Sequence, residues 1–249
     1  MSTPDEAASA SIERGLFATT HWSVILAAGR DSSPRSNEAL EQLCQTYWYP
    51  LYAYVRRSGT EAEDAKDLTQ EFFARMLARR FPSGVRPEGG RFRSYLLKSL
   101  KHFLTSEWRR STALKRGGEM IPISFDALDP ETRYQVEPIT NVTPESLYER
   151  RWAAALIEQA MKRLRAEYTA DTRTEVFDHL RPLLNGTERG VSYAEIGAKL
   201  GLTEAAVKMA VQRLRRRFGE CLRLEVAQTV ETAAEVDAEL RQLLTAVAE

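Results

Sequence analysis

Cysteine and histidine are scarce: two and three residues in a chain of 249. Cys44 and Cys221 frame no disulfide scaffold, and His21, His102 and His179 show no ligand spacing, so neither a disulfide-rich fold nor a metal site is expected. Net charge is absent as well, because 35 Lys and Arg balance 35 Asp and Glu. No global field therefore draws the chain to nucleic acid or to a membrane. No segment approaches the roughly 20 apolar residues that span a bilayer, and the N-terminus lacks a basic stretch followed by an apolar run, so a cytoplasmic location without membrane partners is expected. Long alternating β-branched runs are missing, which removes a sheet from consideration. Missing too are a paired-carboxylate cleft, a nucleophile constellation and a phosphate-binding loop; the expectation is a non-enzyme with no catalytic residue, cofactor or metal.

The charge that cancels globally is sorted locally. Arg91 to Gly118 carries eight basic residues against Glu107 alone, and Val207 to Leu224 carries six against Glu220. Between them, Glu119 to Arg150 has seven acids and two arginines; from Glu225 onward there are six acids and Arg241. Two basic islands separated by acidic segments suggest two surfaces for a polyanion.

Apolar residues recur at intervals of three and four almost throughout, so the fold class is all-α: two small helical domains, a flexible linker and a C-terminal amphipathic helix. Residues 1–19 read as a loose arm and 20–111 as the first domain. Its expected helices run from Thr20 to Gly29, from Asn37 to Ser58-Gly59, from Glu61 to Arg80 and from Phe92 to Ser111. The second presents Leu40, Leu43, Cys44, Tyr47, Trp48, Leu51, Tyr52 and Val55, a spacing that fits a buried stripe better than a base-stacking platform. Pro122, Pro130, Pro138 and Gly117-Gly118 give residues 112–143 the composition of a linker. Thr143-Pro144 then caps a helix through Tyr168, and residues 144–224 form the second domain. Residues 225–249 form an acidic extension whose apolar stripe reads Val236, Leu240, Leu243, Leu244, Val247.

The sharpest signal is "SYAEIGAKLGLTEAAVKMAVQRLRRRF". Ser192 caps one helix, Gly201 stands where a tight turn needs positive φ, and Thr203 caps the next. This is a helix-turn-helix pattern whose second helix is basic. Val207, Val211, Leu214 and Phe218 form its inward stripe, leaving Lys208, Met209, Gln212, Arg213 and Arg216 outside. Lys208, Gln212 and Arg213 are the candidates for reading base edges, and Arg215, Arg216 and Arg217 for meeting phosphates. On the other basic segment, "FRSYLLKSLKHFLTSEWRRS", Lys98, Lys101, His102, Thr105, Ser106 and Arg109 fall largely off the apolar face. Cations beside aromatics suit a single strand. Glu61, Glu63, Asp64 and Asp67 cluster on one helix without a metal partner, which reads as a protein-binding face.

Together these segments resemble the extracytoplasmic-function (ECF) group of bacterial sigma factors, over about residues 20 to 224. "DAKDLTQEFFARML" is similar to the family's region 2.2, and the resemblance implies that Asp64, Asp67, Gln70 and Glu71 bind the β′ clamp helices of core RNA polymerase; Lys66 replaces the usual acid. The basic helix resembles regions 2.3 and 2.4, implying recognition and melting of the promoter minus-10 element by Lys98, Lys101, His102, Ser106, Arg109 and Arg110. His102 stands where many members have asparagine, and the preceding Gly89 and Gly90 would help to form a base pocket. The helix-turn-helix resembles region 4.2, implying minus-35 reading by Lys208, Met209, Gln212, Arg213, Arg216 and Arg217; Met209 and Ala210 replace residues more often serine and arginine. A sigma-2 and a sigma-4 domain, promoter DNA, the polymerase β flap and an anti-sigma factor or other regulator are implied in turn. The acidic extension either packs on sigma-4, masks its basic surface or binds a regulator. The competing reading is a stand-alone helix-turn-helix regulator that binds duplex DNA without polymerase. Thr69, on the polymerase-facing helix, is a conceivable phosphorylation position.

Overall fold

Every residue from Thr46 to Val55 is buried, which no one-faced amphipathic helix would allow. The structure, a computed structural model, describes residues 34–78, 91–113, 130–135, 142–184, 192–230 and 232–248. The expected arm at 1–19, the helix at Thr20–Gly29 and the Gly89-Gly90 loop lie outside the described residues. What is described is helical, apart from one isolated bridge pairing Arg91 with Val230.

The described residues divide into two compact units, one comprising residues up to Ala155 together with Val226 onward, the other Leu156–Glu225. At the centre of the first lies α1, Pro34–Arg57. Tyr47 and Tyr52 help take it beyond a single stripe, because each presents a polar tip that a neighbouring element satisfies. Tyr47 Oη accepts from Trp152 Nε1 at 3.2 Å, and Tyr52 Oη donates to Glu131 at 2.6 Å. The chain leaves α1 at Gly59, whose φ of 95° suits a residue without Cβ. Against α1 pack α2, Ala62–Ala78, through Ala65, Phe72 and Phe73, and α3, Phe92–Ala113, through Phe92, Leu96 and Leu100.

Residues 130–135 fold as a short helix, α4 (Pro130–Gln135), inside the segment expected to be linker. Arg56 grips Glu131 from Nε at 2.8 Å and Nη2 at 2.7 Å, tying α4 to the end of α1. Next comes α5, Pro144–Ala170, whose N-cap Thr143 accepts from the Ser146 amide at 3.1 Å. Its residues up to Ala155, with Trp152 fully buried, belong to the first unit rather than the second.

The second unit continues along α5 from Leu156 and adds α6, Thr174–Leu180, a 3-10 turn at Arg181–Leu183, then α7, Tyr193–Leu200, and α8, Glu204–Ala227. Beyond Glu225 the chain rejoins the first unit and forms α9, Ala233–Ala248. This differs from the expectation that the extension packs on the second domain. The buried face also differs from the expected stripe. Val236, Glu239, Leu243 and Ala246 are inside, while Leu244 and Val247 are 62% and 55% exposed. One acid, Glu239, turns the helix by pairing inward.

Candidate nucleic-acid and partner-protein surfaces

In the first unit, α2 opens with Glu63 and Asp64, where carboxylates favour the positive helix end. Ala65, Thr69, Phe72 and Phe73 face the core, which turns Asp64 and Asp67 fully outward and leaves Gln70 and Glu71 half-buried. Glu71 is held by Arg75, which also donates to Glu107 of α3 at 2.5 Å and lies over the Phe103 ring at 5.1 Å. The acidic face is thus braced on α3 at one end and open at Asp64 and Asp67. Thr69 is buried, its hydroxyl donating to the Ala65 carbonyl at 2.7 Å, so a kinase does not reach it in this conformation.

On α3, Lys98, Lys101, His102, Ser106 and Arg109 are all exposed, and four of them, Lys98, His102, Ser106 and Arg109, rise along one helical stripe. The Arg110 side chain lies outside the described residues. Lys101 is engaged: Nζ donates to Glu145 of α5 at 2.6 Å and lies 5.7 Å from the Tyr54 ring centre. That hydrogen bond holds the lysine above its ordinary pKa and the Glu145 carboxyl below its own. The pair is about half exposed, so solvent screens it and a phosphate can compete for the cation. Trp108, which helical spacing from Leu104 would place on the inward side, is 70% exposed. A wide ring beside a cationic stripe is the surface an unstacked base uses. The basic island is smaller than its sequence suggests, for Arg93 is 4% exposed and turned into the core.

In the second unit the turn between α7 and α8 is built from backbone. Ser192 Oγ accepts from the Ala194 amide at 3.2 Å, capping α7. Gly201 ends it at φ 65°, ψ 29°, and the Leu202 amide donates to the Gly197 carbonyl at 2.8 Å. Thr203 Oγ1 then accepts from the Ala206 amide at 3.2 Å and starts α8. The turn folds back on α7 so closely that a Cβ on Gly197 would lie 2.5 Å from the Leu202 carbonyl oxygen.

Val207, Val211 and Leu214 are buried, and Phe218 half so. Lys208, Met209, Gln212, Arg213 and Arg216 are exposed, Met209 at 56%. Lys208 donates to Glu204 at 2.7 Å, an exposed pair that lifts its pKa. Arg217 is different: its guanidinium spans both oxygens of Glu167 on α5 at 2.7 Å each and reaches Glu220 at 2.6 Å. The Arg217 hydrogen bonds push the Glu167 carboxyl below its usual range. Arg215 likewise donates to the Leu183 carbonyl at 2.7 Å. Two of the three consecutive arginines thus hold α8 to its own unit, leaving Arg216 outermost. Burial pushes the neighbouring Cys221 thiol up to about 11, with Glu167 adding to the effect.

Among the described residues no His, Cys, Asp and Glu cluster offers a metal site, and no described helix is long and apolar enough to cross a membrane. Residues 43–113 match the Sigma-70 region 2 family, a span that contains both α2 and α3. A curated protein, the ECF RNA polymerase sigma factor SigE of Mycolicibacterium smegmatis, is 25% identical over 193 residues, 78% of this chain. The match spans 65% of that relative's length, just under two thirds. No solved structure matches. The family match falls on the helices that carry the acidic face and the cationic stripe, and the longer similarity to an ECF sigma factor extends well beyond them.

Proposed function

We propose that the chain is a sigma factor that binds core RNA polymerase and directs promoter-specific transcription initiation. The observation that carries this reading is the coexistence, in one chain, of an exposed acidic face within the region 2 match and a separate helix-turn-helix whose second helix projects Lys208, Met209, Gln212 and Arg213. A stand-alone regulator has no use for the first of these.

In this reading Asp64 and Asp67, flanked by Gln70 and Glu71, meet the β′ clamp helices. Lys98, His102, Ser106 and Arg109, with Arg110, Trp108 and the releasable Lys101, hold the melted minus-10 strand. The helix-turn-helix unit reads the minus-35 element in the major groove, where Lys208, Gln212 and Arg213 face bases, Met209 makes apolar contact and Arg216 meets phosphate. Arg217 contributes by clamping α8 rather than by touching DNA. The β flap is the expected polymerase partner of this second unit, an anti-sigma factor would act by covering either surface, and the compartment is the cytoplasm.

Run-off transcription with core polymerase and a promoter library tests the reading. Initiation from a defined promoter subset, dependent on both chain and core, is expected. Absence of both core binding and initiation would refute it, and tight polymerase-free binding to a palindromic duplex would support the regulator instead.

A further inference from the structure

The Glu239 carboxylate, on α9, is fully buried and reaches the first turn of α3. It accepts from Arg93 Nε at 2.5 Å and Nη2 at 3.3 Å, and stands 3.3 Å from Arg91 Nε. Arg93 is shared with Glu149 of α5, and its guanidinium lies 4.7 Å from the centre of the Trp152 ring. The backbone is joined at the same place. The Phe92 amide donates to the Thr229 carbonyl at 3.3 Å, Arg91 and Val230 form an antiparallel bridge, and Tyr148 Oη donates to the Arg93 carbonyl at 2.9 Å.

Two features give this cluster a direction. First, α3 has no acid in its own first turn, so Glu239 supplies from a distant element the negative charge a helix N-terminus favours. Second, apolar packing alone would have buried Leu240, Leu244 and Val247 on α9; the observed register buries the acid and leaves Leu244 and Val247 outside. A buried cation tolerates little loss of pairing, so charge matching, more than hydrophobic area, fixes how α9 and α3 meet.

We propose that Glu239 is a positioning residue for the promoter-melting helix: the segment Val226–Ala248 fixes the start and rotation of α3, and so the presentation of Lys98, His102, Ser106 and Arg109 to the single strand. The inference rests on the sigma-factor reading of the first unit. From Lys98 to Arg109 the stripe spans about 16 Å at helical rise, so a small rotation at the first turn is carried along its length. The extension therefore belongs to the minus-10 machinery.

The test compares the full-length chain with E239Q, E239D and the double variant R93Q/E239Q. In the free chain, amide hydrogen exchange is expected to speed at least tenfold across α3 in E239Q, with α7 and the start of α8 unchanged. In holoenzyme, permanganate reactivity of minus-10 thymines should fall at least fivefold while core affinity stays within twofold. E239D keeps the charge at shorter reach and guards against simple unfolding, with a smaller melting loss expected at unchanged circular dichroism. If the two residues act as one device, the double variant melts promoters no worse than E239Q. Unchanged α3 exchange, an equal fall in core affinity and melting, or additive losses in the double variant would overturn the proposal. Failure of the unaltered chain to bind core would remove the sigma-factor reading, and the exchange result would still decide whether Glu239 fixes α3.

Discussion

Gly197 shows how one missing methyl group shapes a surface. A Cβ there would meet the Leu202 carbonyl oxygen at 2.5 Å, a backbone atom with no freedom to step aside. Gly201 has open space around it and owes its identity to its φ of 65° alone. Gly197→Ala is therefore expected to cost the second unit about 1 to 3 kcal/mol through forced displacement, and Gly201→Ala about 1 kcal/mol through backbone preference. Chemical denaturation should return that order; equal costs would mean the close approach is not limiting. The arginines of α8 divide similarly. Arg217→Ala is expected to destabilise the unit, because it leaves Glu167 without its bidentate partner, and to leave base preference unchanged. Arg213→Ala should leave stability intact and reduce discrimination at one minus-35 position by about 1 to 3 kcal/mol, read by competition among promoter variants. The sequence pattern places both arginines on a basic helix but cannot separate their roles, since Glu167 lies 50 residues away on another helix. Ser192, Gly201 and Thr203 were legible because their work is local.

Elements were legible where length or a cap marks them, as Ser192 and Gly201 mark the eight residues of α7. The long helices announce themselves through repeated apolar spacing, and α1 departs from its stripe where other elements cover further faces, Trp152 of α5 meeting Tyr47 and Glu131 of α4 meeting Tyr52. The six residues of α4 give less than two turns, too few for a period, and what holds them is the Glu131 carboxylate between Arg56 and Tyr52. The Arg56 hydrogen bond leads the effects that lower the Glu131 pKa from 4.5 to about 2. A depressed acid stabilises the fold above its unfolded pKa and loses that contribution as pH falls toward the folded value. The α4 contact should accordingly be intact at neutral pH and weaken between pH 4.5 and about 2, by at most about 3 kcal/mol. Thermal unfolding across that interval should show a slope that Glu131→Gln reduces; an unchanged slope would place the acid sensitivity elsewhere. For α9 the sequence revealed a helix but misplaced its inward face by one position, because hydrophobic spacing gives no weight to a glutamate that finds two arginines.

At the scale of the whole molecule, zero net charge combines with extensive internal pairing. Arg91, Arg93, Arg215 and Arg217 are committed to protein partners, so the cations counted along the sequence overstate the field available to DNA. With Lys208, Arg213 and Arg216 as the outward set on α8, binding of the free chain to duplex DNA should be weak. The log-log salt dependence should have a slope of about −3, measured by fluorescence anisotropy between low and moderate salt. A slope steeper than about −5 would mean that DNA releases the paired arginines. The division into two units was only partly legible, since a linker composition does not reveal that α4, the start of α5 and α9 all return to the first unit. That return has a consequence for how the protein is made. Glu239 meets Arg93 across 146 residues, so a ribosome finishes the helix-turn-helix before it delivers the segment that completes the earlier unit. A message cut short after Glu225 would thus encode a finished helix-turn-helix beside a first unit whose Arg93 keeps Glu149 but has lost Glu239, a product for proteases rather than for promoters.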